Sequence, residues 1–234
     1  MNDETAGAPQ ARHGQVFGWL PKGGGSVLQR LWRANPFWLI PLIALVIQIA
    51  GPRLWMRLRY DRLAISAGQW WRIVTGNFVH AGWVHLGLDF SGYFLLWYLF
   101  ARTLGGRRWW WATLWGSLAV GGGLYLLSPA VRWYVGISGV LHTYWGAGAL
   151  LAVERREFLG RWLLAFLILN VAYEVVWGPL PTSAAILKTP ILTVAHLYGT
   201  IAGLVLGAVW IVIDRRRSRT AVARRTDGGQ PAKL

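Results

Sequence analysis

Four long stretches of this 234-residue chain contain no Lys, Arg, Asp or Glu. They cover residues 34–52, 109–131, 133–153 and 189–213, runs of 19, 23, 21 and 25 residues. About 20 such residues in a helix cross the ~30 Å hydrocarbon core of a bilayer. Two further stretches, 83–101 and 162–177, carry one acid each, Asp89 and Glu174. Hydrocarbon offers the backbone no hydrogen-bond partner, so segments of this length must satisfy their own N–H and C=O groups as helices. The pattern predicts an all-α integral membrane protein with six transmembrane helices. Residues 35–213 form the membrane domain, between a polar tail at 1–34 and a basic tail at 214–234.

The formal charge of +15 invites a nucleic-acid partner, but the charges segregate by membrane side. With the N-terminus inside, 17 of the 24 basic residues fall on inner segments. The positive-inside rule then places both termini in the cytoplasm, N-in and C-in. The expected partner is the lipid bilayer, not nucleic acid. The chain has no cysteine, which excludes thiol chemistry, disulfides and thiolate metal sites. The first 35 residues are polar and glycine-rich without a signal-peptide pattern, so the first apolar helix is expected to be an uncleaved anchor.

The first outer loop, 51–79, is too polar to span but holds Trp55, Tyr60, Trp70 and Trp71, which suit the headgroup region. It is expected to lie half-submerged on the outer leaflet, with its arginines snorkelling outward. Residues 102–108 form the next turn, and the loop from Gly178 to Pro190 is expected to be loose. The tail from Arg215 is expected to be disordered, its Gly228-Gly229 pair serving as linker composition.

This topology starts helices two, four and six at the same face. His80, His85 and Asp89 then share a depth with Ser138 and His196, and Asn170 and Glu174 approach it along helix five. Ionisable groups in apolar helices face a cavity or each other. A serine hydroxyl is a weak nucleophile and needs a base in reach, for which His196 is the candidate. Ser138 opens its helix, so its N–H can meet a developing oxyanion, and His85 can add a donor. Gly199, Gly203 and Gly207 make a small-residue stripe that lets helix six approach helix four, through Gly146.

Taken singly, these residues have blander readings. Ser138 alone reads as a small residue easing helix contact, and His196 as an interhelical hydrogen bond; their convergence favours catalysis. His80 either orients the outer loop or holds water. His142, one turn after Ser138, reads as a partner of His196 and not a second base. Asn170 and Glu174 either receive substrate polar groups or pair with a neighbouring helix. No metal or other cofactor is expected: His80 and His85 are five apart, off-face on a helix, and no His-Glu-x-x-His occurs. No internal repeat supports a transporter.

Four blocks carry a family resemblance: Trp71-Arg72, His80-Ala-Gly-Trp-Val-His85 with an acid at 89, Gly136-Ile-Ser138-Gly139, and Ala195-His196-Leu-Tyr-Gly199-x-x-x-Gly203. In this order, over about Gly68 to Gly207, they resemble the rhomboid intramembrane serine proteases. The resemblance implies a six-helix rhomboid-like bundle, Ser138 as nucleophile and His196 as base, in a dyad without an acidic third member. It also implies an oxyanion site from His85, position 89 and the Ser138 N–H, beside Gly136.

His142, four residues after the serine, is similar to the rhombosortase branch. That likeness implies a substrate class: exported proteins with a C-terminal glycine-glycine motif, a transmembrane helix and a basic end. It also implies a bacterial inner membrane, with the site facing outward. Two positions depart from the pattern. Thr143 stands where the branch has glycine, and Asp89 where rhomboids have asparagine. Either Asp89 is neutral and donates to the oxyanion, or it holds structure and a histidine tautomer while His85 serves alone. The alternative function is a catalytically silent rhomboid-like protein that binds or escorts membrane clients.

Overall fold

The computed structural model describes residues 37–187 and 191–227. The expected tail 1–34 and the Gly228-Gly229 pair lie outside the described residues. Helix α1 (Leu39–Ala50) buries Ile40, Ala44 and Ile47 on one face and ends where Gly51 takes φ +82°. A compact insert follows: α2 (Pro52–Leu58), β1 (Tyr60–Asp61), α3 (Arg62–Ser66), α4 (Arg72–Thr75) and a 3₁₀ turn (Gly76–Phe78). Next comes α5 (Trp83–Leu127), then β2 (Trp133–Tyr134) and α6 (Ser138–Glu154). The chain continues through α7 (Gly160–Trp177), α8 (Pro181–Leu187) and α9 (Thr193–Asp227).

Helix α5 is two arms folded back on each other. Gly105 leaves helical geometry at φ 64°, ψ 167°. Beyond it Trp109 returns beside Tyr93, donating its indole N–H to the phenol oxygen at 3.0 Å. Residues 16 apart on a straight helix would sit about 24 Å apart. Only Gly105 breaks the helix, where the sequence suggests a turn over 102–108. Each arm, 83–104 or 106–127, is about 33 Å long at 1.5 Å per residue, enough to cross a bilayer. Among the described residues, helices Trp83–Leu127, Gly160–Trp177 and Thr193–Thr220 are long and apolar enough to span. The all-α membrane bundle expected from the uncharged stretches is the observed architecture.

Helix α6 is the centre of the bundle: 12 of its 17 residues are buried. Its chief partner is α9, and glycines set their separation. A Cβ on Gly199 would fall onto the Gly139 carbonyl, one on Gly203 would lie 2.5 Å from the Thr143 oxygen, and one on Gly207 would lie 3.2 Å from Ala147 Cα. Gly146 faces Thr200 and Leu204 from the other side. Thr143, unexpected at its position, ties the helices together. Its hydroxyl donates to the Gly199 carbonyl at 3.0 Å, and Gly116 on α5 makes room for the side chain.

Three expectations are corrected. The first outer loop is a folded insert, and its central arginine does not snorkel outward. Arg72 is 7% exposed and donates to the Met56 and Arg59 carbonyls at 2.8 and 2.9 Å and to Gln69 at 2.7 Å. A guanidinium offers five N–H donors in a rigid planar fork, which suits it to gathering loop carbonyls. The loop before helix six contains α8. The basic tail, expected to be disordered, continues α9 as helix to Asp227, and Arg215 on it pairs with Glu154.

Candidate active site

The loop before Ser138 is held from both sides. Strand β2 pairs antiparallel with β1, Tyr60 opposite Tyr134, which ties the loop to the insert. The buried Tyr134 phenol donates to the Gly136 carbonyl at 2.6 Å. Gly136 sits at φ +118°, a conformation side chains avoid, and a Cβ there would lie 2.8 Å from His85 Nε2. Only glycine fits.

Asp89 anchors the next residue. Its Oδ2 accepts the Ile137 N–H at 3.1 Å and the His80 Nε2–H at 3.1 Å, with His85 Nε2 at 3.4 Å. The Ala81 N–H reaches His85 Nδ1 at 3.4 Å, so the His85 proton sits on Nε2, toward Asp89 and Gly136. Two N–H groups, from Ile137 and His80, converge on one carboxylate oxygen, and the His85 ring lies beside it. Of the two readings of Asp89, this geometry supports the structural one. His80 is 1% exposed and does not line the cavity; it orients Asp89 from behind.

Ser138 begins α6, whose first-turn N–H groups have no intrahelical acceptor, and Ile137 before it supplies no side-chain cap. Ser138 Oγ lies 2.9 Å from His196 Nε2. On the far side of the ring, His196 Nδ1 lies 2.6 Å from Glu174 Oε2. The ring of His142 stacks on that of His196, with centroids 4.2 Å apart and planes at 10°, while its own Nδ1–H donates to the Ser138 carbonyl at 2.8 Å. His142 is thus a partner of His196, as its one-turn spacing suggested, through ring stacking. Asn170, one turn from Glu174, does not line the cavity.

The pair opens into a cavity of about 650 Å³ lined by His85, Asp89, Ser138, Glu174 and His196, with Val131, Trp133, Tyr134 and Val135 along one wall. His142, Glu174 and His196 offer ligand atoms within 4.8 Å of one another, the grouping a metal would need. They do not fit one. Parallel rings direct their in-plane lone pairs alongside each other, whereas zinc needs donors converging to about 2.0–2.1 Å.

The contact between Glu174 and His196 is the feature of the cavity that the sequence does not show. The resemblance implied no acidic third member, and the acid itself was read as open between substrate and structure. Its one signal was a carboxylate in an otherwise apolar span, level with His196. The two-residue strands that hold the loop left no signal at all.

Comparison with known proteins places the chain as a whole. A sequence model described as the Rhomboid domain matches residues 67–213. YdcA of Bacillus subtilis (strain 168), named as a rhomboid protease, is 28% identical over 156 residues, 66% of this chain and 74% of that protein. The chain belongs to the rhomboid family of intramembrane serine proteases.

Proposed function

We propose that Ser138 and His196 cut the membrane-anchoring C-terminal tail of exported proteins, of the type with a glycine-glycine motif, one helix and a basic end. The observation that carries the catalytic part is the 2.9 Å contact between Ser138 Oγ and His196 Nε2 at an uncapped helix start inside a cavity. His196 Nε2 takes the hydroxyl proton as Oγ attacks the scissile carbonyl. The resulting oxyanion is met by the Ser138 N–H and by His85, donors already fixed before the reaction. His196 then protonates the leaving amine, and water releases the acyl group by the reverse relay.

The substrate class rests on His142. Its ring occupies the stacking position against the base, the feature that aligns this chain with the rhombosortases. The bundle is read as six spans: α1, the two arms of α5, α6, α7 and α9. The arginine-rich ends pair at Arg108–Asp214 and Arg215–Glu154, away from the cavity, which supports a cytoplasmic position for them and an outward-facing site in a bacterial inner membrane.

The test is co-expression with an exported reporter bearing such a tail. The tail should be removed by the wild-type chain, and replacing its two glycines with leucines should reduce cleavage at least about tenfold. Equal cleavage of both tails would remove the glycine-glycine assignment. No cleavage of either tail would favour the client-binding alternative.

Asp89 gives a second expected result. In Asp89→Asn the amide oxygen still accepts from Ile137 and His80, so turnover of the reporter should stay within about tenfold of wild type. Asp89→Ala leaves the buried Ile137 N–H and His80 N–H without an acceptor, at about 1–3 kcal/mol each. The loop then shifts, and turnover should fall at least about 10²-fold, as follows from a displacement near 1 Å at a reacting group.

A further inference from the structure

We propose that Glu174 is a positioning residue that makes the Ser138–His196 pair a triad, drawn from helices α6, α9 and α7. The inference rests on the reading of Ser138 as the nucleophile. Three observations carry it. Glu174 Oε2 and His196 Nδ1 are 2.6 Å apart, a short contact even for a charge-assisted hydrogen bond. Both residues are buried, at 6% and 7% exposure, so water competes little for either. The opposite ring nitrogen faces Ser138 Oγ at 2.9 Å, so nucleophile, imidazole and carboxylate form one unbroken line.

The chemistry follows from the two ring nitrogens. Neutral imidazole carries one N–H. With the carboxylate at Nδ1, the proton resides there, and Nε2 presents its lone pair to the serine. When Nε2 takes the serine proton, the positive ring lies between two faces. The stacked His142, whose Nδ1–H is committed to the Ser138 carbonyl, supplies no charge. Glu174 supplies it. An acid in this place holds the tautomer before the attack and offsets the imidazolium during it, as the aspartate does in soluble serine hydrolases.

The competing explanation is a latch. Helix α7 buries only Gly160, Leu167, Val171 and Glu174, so Glu174 is one of few contacts fixing its outer half. Substitutions separate the two roles. Glu174→Gln keeps length, shape and an acceptor oxygen but loses the charge. Glu174→Asp keeps the charge but shortens the reach. A latch tolerates Gln better than Asp, and a triad member the reverse.

The experiment uses the full chain in proteoliposomes and a fluorescent alkyl fluorophosphonate, which needs no knowledge of the substrate. Ser138 Oγ forms the P–O bond, fluoride leaves, and the serine proton passes to His196. Labelling rate against probe concentration gives a maximal rate constant and a half-saturation concentration, and thermal stability is measured on each variant. Glu174→Gln is expected to lower the maximal rate about 10²- to 10⁴-fold, with half-saturation within about threefold of wild type and stability unchanged. Glu174→Asp is expected to retain more of the rate than Gln. Three results overturn the inference: Gln labelling within about threefold of wild type, Asp more impaired than Gln, or a loss in both that follows their stability. If the wild-type chain takes no label where Ser138→Ala takes none, the reading of Ser138 fails, and the inference with it.

Discussion

Ser138→Ala and His196→Ala should each reduce processing of a transmembrane reporter at least about 10⁴-fold, and the double variant should be no worse than either alone. A nucleophile and its base act as one unit, so removing the second member after the first takes nothing more away. Without His196, the serine hydroxyl keeps its proton at neutral pH and remains a poor nucleophile. Without Ser138, the imidazole has no hydroxyl proton to take and the scissile carbonyl meets no nucleophile. Neither substitution should unfold the chain. Alanine removes a half-buried hydroxyl in one case, and in the other leaves α9 held by its glycine stripe. Residual processing that multiplies across the two single variants would place the two residues in separate roles.

Gly199→Leu has the second-largest expected effect, and it acts on the fold. Glycines at 139, 199 and 203 let α6 and α9 approach until backbone meets backbone; a Cβ at 199 alone would overlap the Gly139 carbonyl. Leucine must force the helices apart at the level where Ser138 faces His196. Separation beyond about 3.5 Å ends the hydrogen bond between them. The Thr143 hydroxyl would also lose the Gly199 carbonyl that it reaches at 3.0 Å. Processing should fall to the level of Ser138→Ala, and the thermal midpoint in detergent should drop by several degrees. Gly87→Leu is the control, since nothing lies within 4 Å of a Cβ at that position on α5. A Gly199→Leu chain that keeps wild-type turnover would show that helix separation does not govern the site.

These two results bear on what the sequence makes legible. Uncharged stretches about as long as a bilayer is thick make the helices readable, because hydrocarbon excludes charge whatever the tertiary contacts. The small-residue stripe after His196 is readable for a related reason: three glycines four apart lie on one face, and a glycine face permits approach. Depth is thereby fixed, which brings Ser138, His85, Asp89 and His196 to one level. Azimuth is not. Nothing in the residues around Glu174 says which way that carboxylate turns on its helix, so its contact with His196 is visible only in the folded chain, and Asn170, one turn away, turns elsewhere.

Short elements are the other gap. The β1–β2 pair is two residues on each side, and the helices of the insert are too short to show periodicity. Their stability comes from long-range contacts such as Arg72 to the Met56 and Arg59 carbonyls. The position that departs most from the family pattern, Asp89, becomes intelligible only with the loop in view. Its carboxylate holds Ile137, next to Ser138, while Gly136 leaves room for His85.

The measurement that bears most directly on the central claim is the site of covalent capture. The full chain in proteoliposomes is treated with a fluorophosphonate, digested and mapped by mass spectrometry. The account predicts one phosphonyl adduct, on Ser138, formed in the wild-type chain and absent from His196→Ala. An adduct on any other residue, or equal capture of Ser138 without His196, would contradict it.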